Sequence, residues 1–278
     1  MKTPKILAGA LLLTLSTSSF ALHAKKKENI IPKGDIASHS IVKLLIGNAS
    51  CTGSFLSKRT ILTAAHCVPG WATGENLQVL TYDGTEPQKS HVINWEDAEM
   101  EAHPTYDFNA EEVSLDQVNS DLAVITLKNE IAEAKPVLLY SDLGQQKTYE
   151  EAMKEAIGSD FYLAGNGSRQ RLFSSGILAT LDFIKSLTKQ TTAELVDFSE
   201  SSLQFKTKRK TKVCQGDSGG PAFLRAKNGQ MVQFGVVSIG ITGLLWAKNC
   251  GRNVFYSAVG GENLTWVEET QAKLESRL

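Results

Sequence analysis

The chain has 278 residues, enough for one large core or for two smaller lobes. Apolar residues make up 42% and charged residues 21%, and the formal net charge of −1 argues against a general nucleic-acid surface. Aromatic residues are few and are not interleaved with basic patches, so neither DNA nor RNA is an expected partner.

The N-terminus has the layout of a cleaved export signal. Lys2 and Lys5 give a positive start, Ile6 to Leu15 is a short apolar run, and Ser19-Phe20-Ala21 offers small residues where cleavage needs them. Residues 1–21 are therefore expected to be the signal, with cleavage after Ala24 as the other option. Residues 22–29 are short and charged, either a solvated linker or a pro-segment removed on activation. No later segment is apolar for about 18 residues, so no membrane contact is expected.

From Ser40 onward the pattern is short β-prone runs between turn signals. Ile41–Ile46 ends at Gly47-Asn48, and Thr52–Leu56 and Thr60–Thr63 are separated by Ser57-Lys58-Arg59. Leu77–Tyr82, His91–Trp95 and Asp121–Leu127 follow. Later candidates are Asp160–Ala164, Gly176–Ile184, Leu203–Thr207, Val232–Ile239 and Asn253–Ala258. Two stretches have helical character, Glu150–Ile157 and an amphipathic terminal segment, Asn263–Leu274. Many strands of this length favour a barrel or sandwich over alternating α/β units.

Four cysteines in an exported chain suggest two disulfides, with three possible connectivities, and neither spacing is that of a paired CxxC zinc site. Glu75, Asn76, Asp83 and Glu86 would suit a calcium-type loop or a solvated acidic one; the solvated loop is the expectation, so no metal is expected, and no cofactor either.

Three stretches carry chemistry. Gly216-Asp217-Ser218-Gly219-Gly220-Pro221 suits a tight turn that presents a serine. A serine hydroxyl is a poor nucleophile until a base takes its proton. Thr63-Ala64-Ala65-His66-Cys67 supplies a histidine, the usual base near neutral pH, in a turn that Cys67 can pin. The other four histidines have no such setting. Asp121 opens an apolar run, where a carboxylate is costly to bury without hydrogen bonds, and it can fix the tautomer of a histidine.

The order His66, Asp121, Ser218 is that of chymotrypsin-type enzymes. With their flanking residues the three stretches resemble the signature motifs of the trypsin/chymotrypsin family of serine peptidases, and weaker likenesses extend over residues 30 to 278. Among them are Ala102-His103-Pro104, Gly165-Asn166-Gly167 and Val237-Ser238-Ile239-Gly240.

The resemblance implies two six-stranded antiparallel β-barrels, near 30–140 and 141–278, with a short C-terminal helix. It implies a catalytic triad of His66, Asp121 and Ser218, and an oxyanion hole from the backbone N–H groups of Gly216 and Ser218. Cys51 would pair with Cys67, and Cys214 with Cys250. Asp217 would pair with the α-amino group of Ile30 once the chain is cut there. The preceding residue is Asn29 rather than Arg or Lys, and a cut at Lys27 with trimming is the other route. Gln215, Ser238 and Gly240 would contact substrate, and Lys212 would stand at the pocket floor, where tryptic relatives carry aspartate. With Lys206 to Lys212 basic and Arg252 approaching from the other wall, a non-tryptic preference is expected, for acidic or for neutral and polar side chains. An apolar pocket with Lys212 reaching to solvent is the competing arrangement.

The function expected is thus a secreted or periplasmic serine endopeptidase acting on proteins or peptides as a monomer, with an activating protease and protein inhibitors as further partners. The alternative is a non-catalytic or zymogen-locked homologue acting as a binding module. An esterase with the same triad is disfavoured by the motif order and the cysteines.

Overall fold

The computed structural model describes residues 30–278 apart from 33, 48, 69–73, 75, 83–88, 111–113, 145–147, 168–187, 209, 210, 227 and 242–249. The expected signal and pro-segment, the strand at 176–184 and most of the acidic loop lie outside the described residues.

Two antiparallel sheets carry the architecture. The first holds β1 (Ile41–Ile46), β2 (Ala49–Phe55), β3 (Thr60–Thr63), β4 (Leu77–Thr81), β5 (Lys89–Ile93), β6 (Ala98–Ala102) and β7 (Ala123–Leu127). Their spatial order is β5-β4-β1-β2-β3-β7-β6. β3 and β7 are buried along their whole length, which is why both appear in the sequence as unbroken β-prone runs rather than alternating ones.

The second half contributes β8 (Leu138–Leu139), β9 (Asp160–Gly165), β10 (Lys189–Phe198), β11 (Ser202–Thr207), β12 (Val213–Cys214), β13 (Pro221–Arg225), β14 (Met231–Ile241), β15 (Cys250–Gly251) and β16 (Asn253–Ala258). The order β13-β9-β10-β11-β16-β14 closes on itself through β13–β14, giving a six-stranded barrel with β8 added in parallel outside it. β12 and β15 form a separate ribbon beside the serine turn. The first sheet has seven strands, and among the described residues its edges β5 and β6 do not pair.

The described residues also form four α-helices: α1 (Ile36–Ser40), α2 (Leu115–Asn119), α3 (Tyr149–Ala156) and α4 (Gly261–Glu275). α3 starts on a capping box, Thr148 with Glu151. α4 leaves the barrel and crosses to the first sheet, where Val267 and Leu274 join its core. Glu275 accepts from the hydroxyls of Ser57 and Thr60, both at 2.6 Å, and Lys273 pairs with Glu101. The barrel has its own aromatic core, with Phe161, Phe205, Phe234 and Tyr256 in tilted or edge contacts. The two cores meet along a buried seam, where the Ser54 hydroxyl donates to Gln233 Oε1 at 2.6 Å. The all-β class with a terminal helix is as the sequence implied.

Candidate active site

The serine turn is built from two successive four-residue turns. Asp217 N–H donates to Cys214 C=O at 3.0 Å, and Gly220 N–H donates to Asp217 C=O at 2.9 Å. The third residue of each turn is a glycine at positive φ, Gly216 at 91° and Gly219 at 82°. That is the position where a type II turn demands glycine. Gly219 is fixed twice over, since a Cβ there would lie 2.1 Å from Thr52 O and from Thr63 Oγ1. The turn is thus pressed against the middle of β2 and the end of β3. Thr52 N–H donates to Ser218 C=O at 2.7 Å, and Thr52 Oγ1 donates to Gly216 C=O at 2.8 Å.

His66 sits three residues beyond Thr63, in a single 3-10 turn, Ala65–Cys67, that follows β3. The Cys51–Cys67 disulfide ties that turn to β2. Asp121, 2% exposed, follows α2 and opens the approach to β7. Its loop is anchored to the barrel by the Ser257 hydroxyl, which donates to Val118 C=O and Asp121 C=O at 2.6 and 3.2 Å.

The Asp121 carboxylate accepts three hydrogen bonds: from His66 N–H at 2.9 Å, from His66 Nδ1 at 2.7 Å and from Ser238 Oγ at 2.6 Å. Burial alone would lower the pKa of His66, but the charge and hydrogen bond of Asp121 outweigh it and raise it above the ordinary histidine value. With Nδ1 turned to Asp121, Nε2 is the nitrogen left to act.

Beside the turn lies a cavity of about 220 Å³ lined by Val213, Cys214, Gln215, Ser218, Val237, Ser238, Ile239 and Gly240. Whole-ligand pockets run to about 300–1,000 Å³, so this one suits a single side chain. The second disulfide, Cys214–Cys250, braces its wall by joining β12 to β15.

The structure brings together most of the residues singled out from sequence. Gln215, Ser238 and Gly240 line the cavity, and Ser238 also bonds Asp121, a role the sequence did not suggest. Lys212 is half-buried immediately before the wall residue Val213 and is not among the described lining residues. Arg252, expected at the pocket's other wall, instead spends its guanidinium on Thr207 C=O, at 3.3 and 3.1 Å. Within the basic stretch, Lys208 pairs with Asp160.

Asp217 is 1% exposed, and its carboxylate accepts from Gly167 N–H and Cys214 N–H, each at 2.7 Å. Gly165 and Gly167 make room for it, since a Cβ on either would fall 2.3 to 2.7 Å from Asp217 Oδ1. Ile30 lies in mid-chain and forms a β-bridge with Lys189. Cys51, His66 and Cys67 approach one another within 4.8 Å, but both sulfurs are spent in a disulfide and the set is no metal site. Among the described residues no helix is long and apolar enough to cross a membrane.

Comparison with known proteins gives a consistent result. A family model described as Trypsin matches residues 32–266. Chymotrypsin-2 of Vespa crabro is 29% identical over 227 residues, covering 80% of this chain and 88% of its own. A trypsin-like protease of Streptomyces glaucescens is 25% identical over 210 residues, 73% of this chain and 67% of its own. Melanization protease 1 of Drosophila melanogaster is 26% identical over 227 residues, 69% of this chain, which spans only 52% of that relative. Among solved structures, an HL collagenase superposes with a TM-score of 0.60 at 19% identity, over 88% of this chain and 98% of the other, a likeness of fold.

Proposed function

Because the chain belongs to the trypsin family of serine peptidases, we propose that it is an exported serine endopeptidase using Ser218, His66 and Asp121. The observation that carries this reading is the imidazole of His66, held through Nδ1 at 2.7 Å by Asp121, whose carboxylate also accepts from Ser238, a lining residue of the cavity that Ser218 lines.

The chemistry follows from that geometry. Ser218 Oγ attacks the scissile carbonyl while His66 Nε2 takes its proton, and the imidazolium formed is stabilised by Asp121, which stays ionised. The oxyanion is met by the N–H groups of Gly216 and Ser218, presented by the turn that Gly216 makes possible. His66 then gives its proton to the leaving amine, and a water activated by the same nitrogen releases the acyl group from Ser218.

The side chain before the scissile bond enters the cavity. No carboxylate stands among its described lining residues, so an arginine or lysine would have no counter-charge there. An acidic or a neutral and polar side chain is proposed, with Lys212 just behind Val213 as the nearby positive charge. Cleavage of a peptide library mainly after Arg or Lys would sink that preference.

Two disulfides agree with export to an oxidising compartment, secreted or periplasmic. Residues 1–21 are proposed as the signal and 30–278 as the peptidase domain, its two lobes meeting near residue 140. A serine-directed phosphonate should label the protein at Ser218, and Ser218→Ala should abolish both label and turnover, by about 10⁶ in kcat. A processed chain that never labels would be the binding module instead.

A further inference from the structure

Asp217 poses a problem that hydrogen bonds from neutral backbone groups do not solve. Gly167 N–H and Cys214 N–H are neutral donors, yet the carboxylate is almost wholly withdrawn from water. A buried charge needs an opposite charge as well as hydrogen bonds. In the intact chain Ile30 is an internal residue and carries no ammonium.

Two buried lysines converge on this carboxylate, one from each sheet. Lys43 interrupts the apolar strand β1 and is 0% exposed. Its cross-strand partner is Thr52, so the two side chains share a face. That face is turned to the serine turn, because Thr52 Oγ1 donates to Gly216 C=O at 2.8 Å and accepts from Asn166 N–H at 2.9 Å. Lys189, 5% exposed, opens β10 and is paired with Gly165 of β9. The Cβ direction at Gly165 runs to within 2.3 Å of Asp217 Oδ1, so Lys189 stands on the face that looks at Asp217. Burial pulls the Lys43 ammonium down to about 7 and that of Lys189 to about 8, and in both the charge of Asp217 opposes the fall. Tyr256 also feels Asp217, and its burial keeps it neutral.

The segment that a cut would free is already seated. Ile31 is fully buried and donates to Thr188 C=O at 3.2 Å, next to the Ile30–Lys189 bridge. Farther along, Asp35 takes a two-pronged bond from Arg225, at 3.0 and 2.9 Å, and Arg225 lies over Tyr162 and Phe223 of the barrel. The described residues between Ile30 and Ser40 are thus clasped on the barrel.

We propose that Lys43, assisted by Lys189, is the counter-ion of Asp217 and a positioning residue for the oxyanion turn, so that the chain is a competent peptidase without cleavage before Ile30. The inference rests on the serine-peptidase reading above and replaces the expected Asp217–Ile30 pair. Lys43 acts through Asp217, which fixes the backbone of Gly216 and Ser218, and touches no substrate itself.

The test uses a chain in which residues 25–29 are replaced by the recognition sequence of a site-specific protease, so that one preparation gives an uncut form and a cut form with a free Ile30 amine. Intact mass verifies each form, and phosphonate labelling and kcat are read on both. The expected result is equal labelling of uncut and cut chains. Lys43→Met in the uncut form should lower kcat by about 10² with a smaller change in KM, and Lys189→Met by about 10-fold, set against the 10²–10³ lost with one oxyanion donor. Lys43→Arg, which keeps the charge, should retain more activity than Lys43→Met. An inert uncut chain that gains activity on cutting overturns the inference and leaves the peptidase reading intact. Inertness of both forms overturns the peptidase reading and the inference with it. If Lys43→Met does not fold, the uncut-against-cut comparison of the unmutated chain decides alone.

Discussion

The surroundings of Asp121 and of Asp217 make an instructive pair. Both carboxylates are withdrawn from water, at 2% and 1% exposure, and each accepts hydrogen bonds from groups more than 45 residues away in the chain. Their partners differ in kind. Asp121 faces a half-buried imidazole and a hydroxyl, so its charge tunes a group that can gain or lose a proton beside the cavity. Asp217 faces backbone N–H groups and buried lysines, so its charge is spent on holding a turn. Burial makes any carboxylate demand partners, and the kind of partner decides whether the result is a chemical device or a structural one.

Substitutions that break one aspartate and not the other should separate the two roles. The largest effect is expected from Asp121→Asn, which keeps the shape but favours the wrong histidine tautomer. Its kcat should fall by about 10⁴ with little change in unfolding free energy, as steady-state kinetics and denaturant titration would show. Asp217→Asn should lower kcat less, by about 10², the loss expected of a loosened oxyanion turn, and should cost stability as well. Leaving buried lysines without their counter-ion should cost about 3–5 kcal/mol of stability, measurable by denaturant unfolding. Replacing Cys214 and Cys250 together by alanine tests how far covalent bracing backs up that turn. The bond spans 36 residues, for which chain entropy gives about 3–4 kcal/mol, and the Cys51–Cys67 bond, spanning 16, should give about 3.

The smallest changes lie in the fine setting of the base. Ser238→Ala removes one donor to Asp121 and should lower kcat/KM by about 10-fold, the worth of one charge-assisted hydrogen bond. The acid limb of kcat/KM should have its midpoint above the ordinary histidine value, because Asp121 favours the protonated ring and only the neutral ring can act as base. Asp121→Asn should move that limb down. The sign for stability follows the same shift. A histidine whose pKa is raised by folding contributes stability below its unfolded pKa, and that contribution is lost as pH rises through the folded value.

Much of this was legible in the sequence because local chemistry demands it. Several strands of both sheets show as short β-prone runs between turn residues, although β6, β10 and β13 are not among them, and the serine turn needs glycine at 216 and 219, where φ is positive. His66, Asp121 and Ser218 lie on flanks distinctive enough to be picked out one by one. What local pattern does not carry is which way a side chain turns. Ser238 was expected to meet substrate, and it also donates to Asp121 across the two sheets. Arg252 turned to a carbonyl on β11 rather than toward the pocket. The short helices α1 and α2 span only five residues each and carry too little periodicity to be read. Lys43 did leave a trace, a charge inside the apolar run Ile41–Ile46, but its meaning depends on Asp217, 174 positions away in the chain.

The most direct test of the central claim is phosphonate labelling followed by peptide mapping, as a function of pH. The account predicts a single adduct on Ser218, absent in Ser218→Ala, slowed severely in His66→Ala, and forming faster as pH rises through one ionisation above the ordinary histidine value. An intact, folded protein that takes no label at Ser218, or takes it equally well without His66, would contradict it.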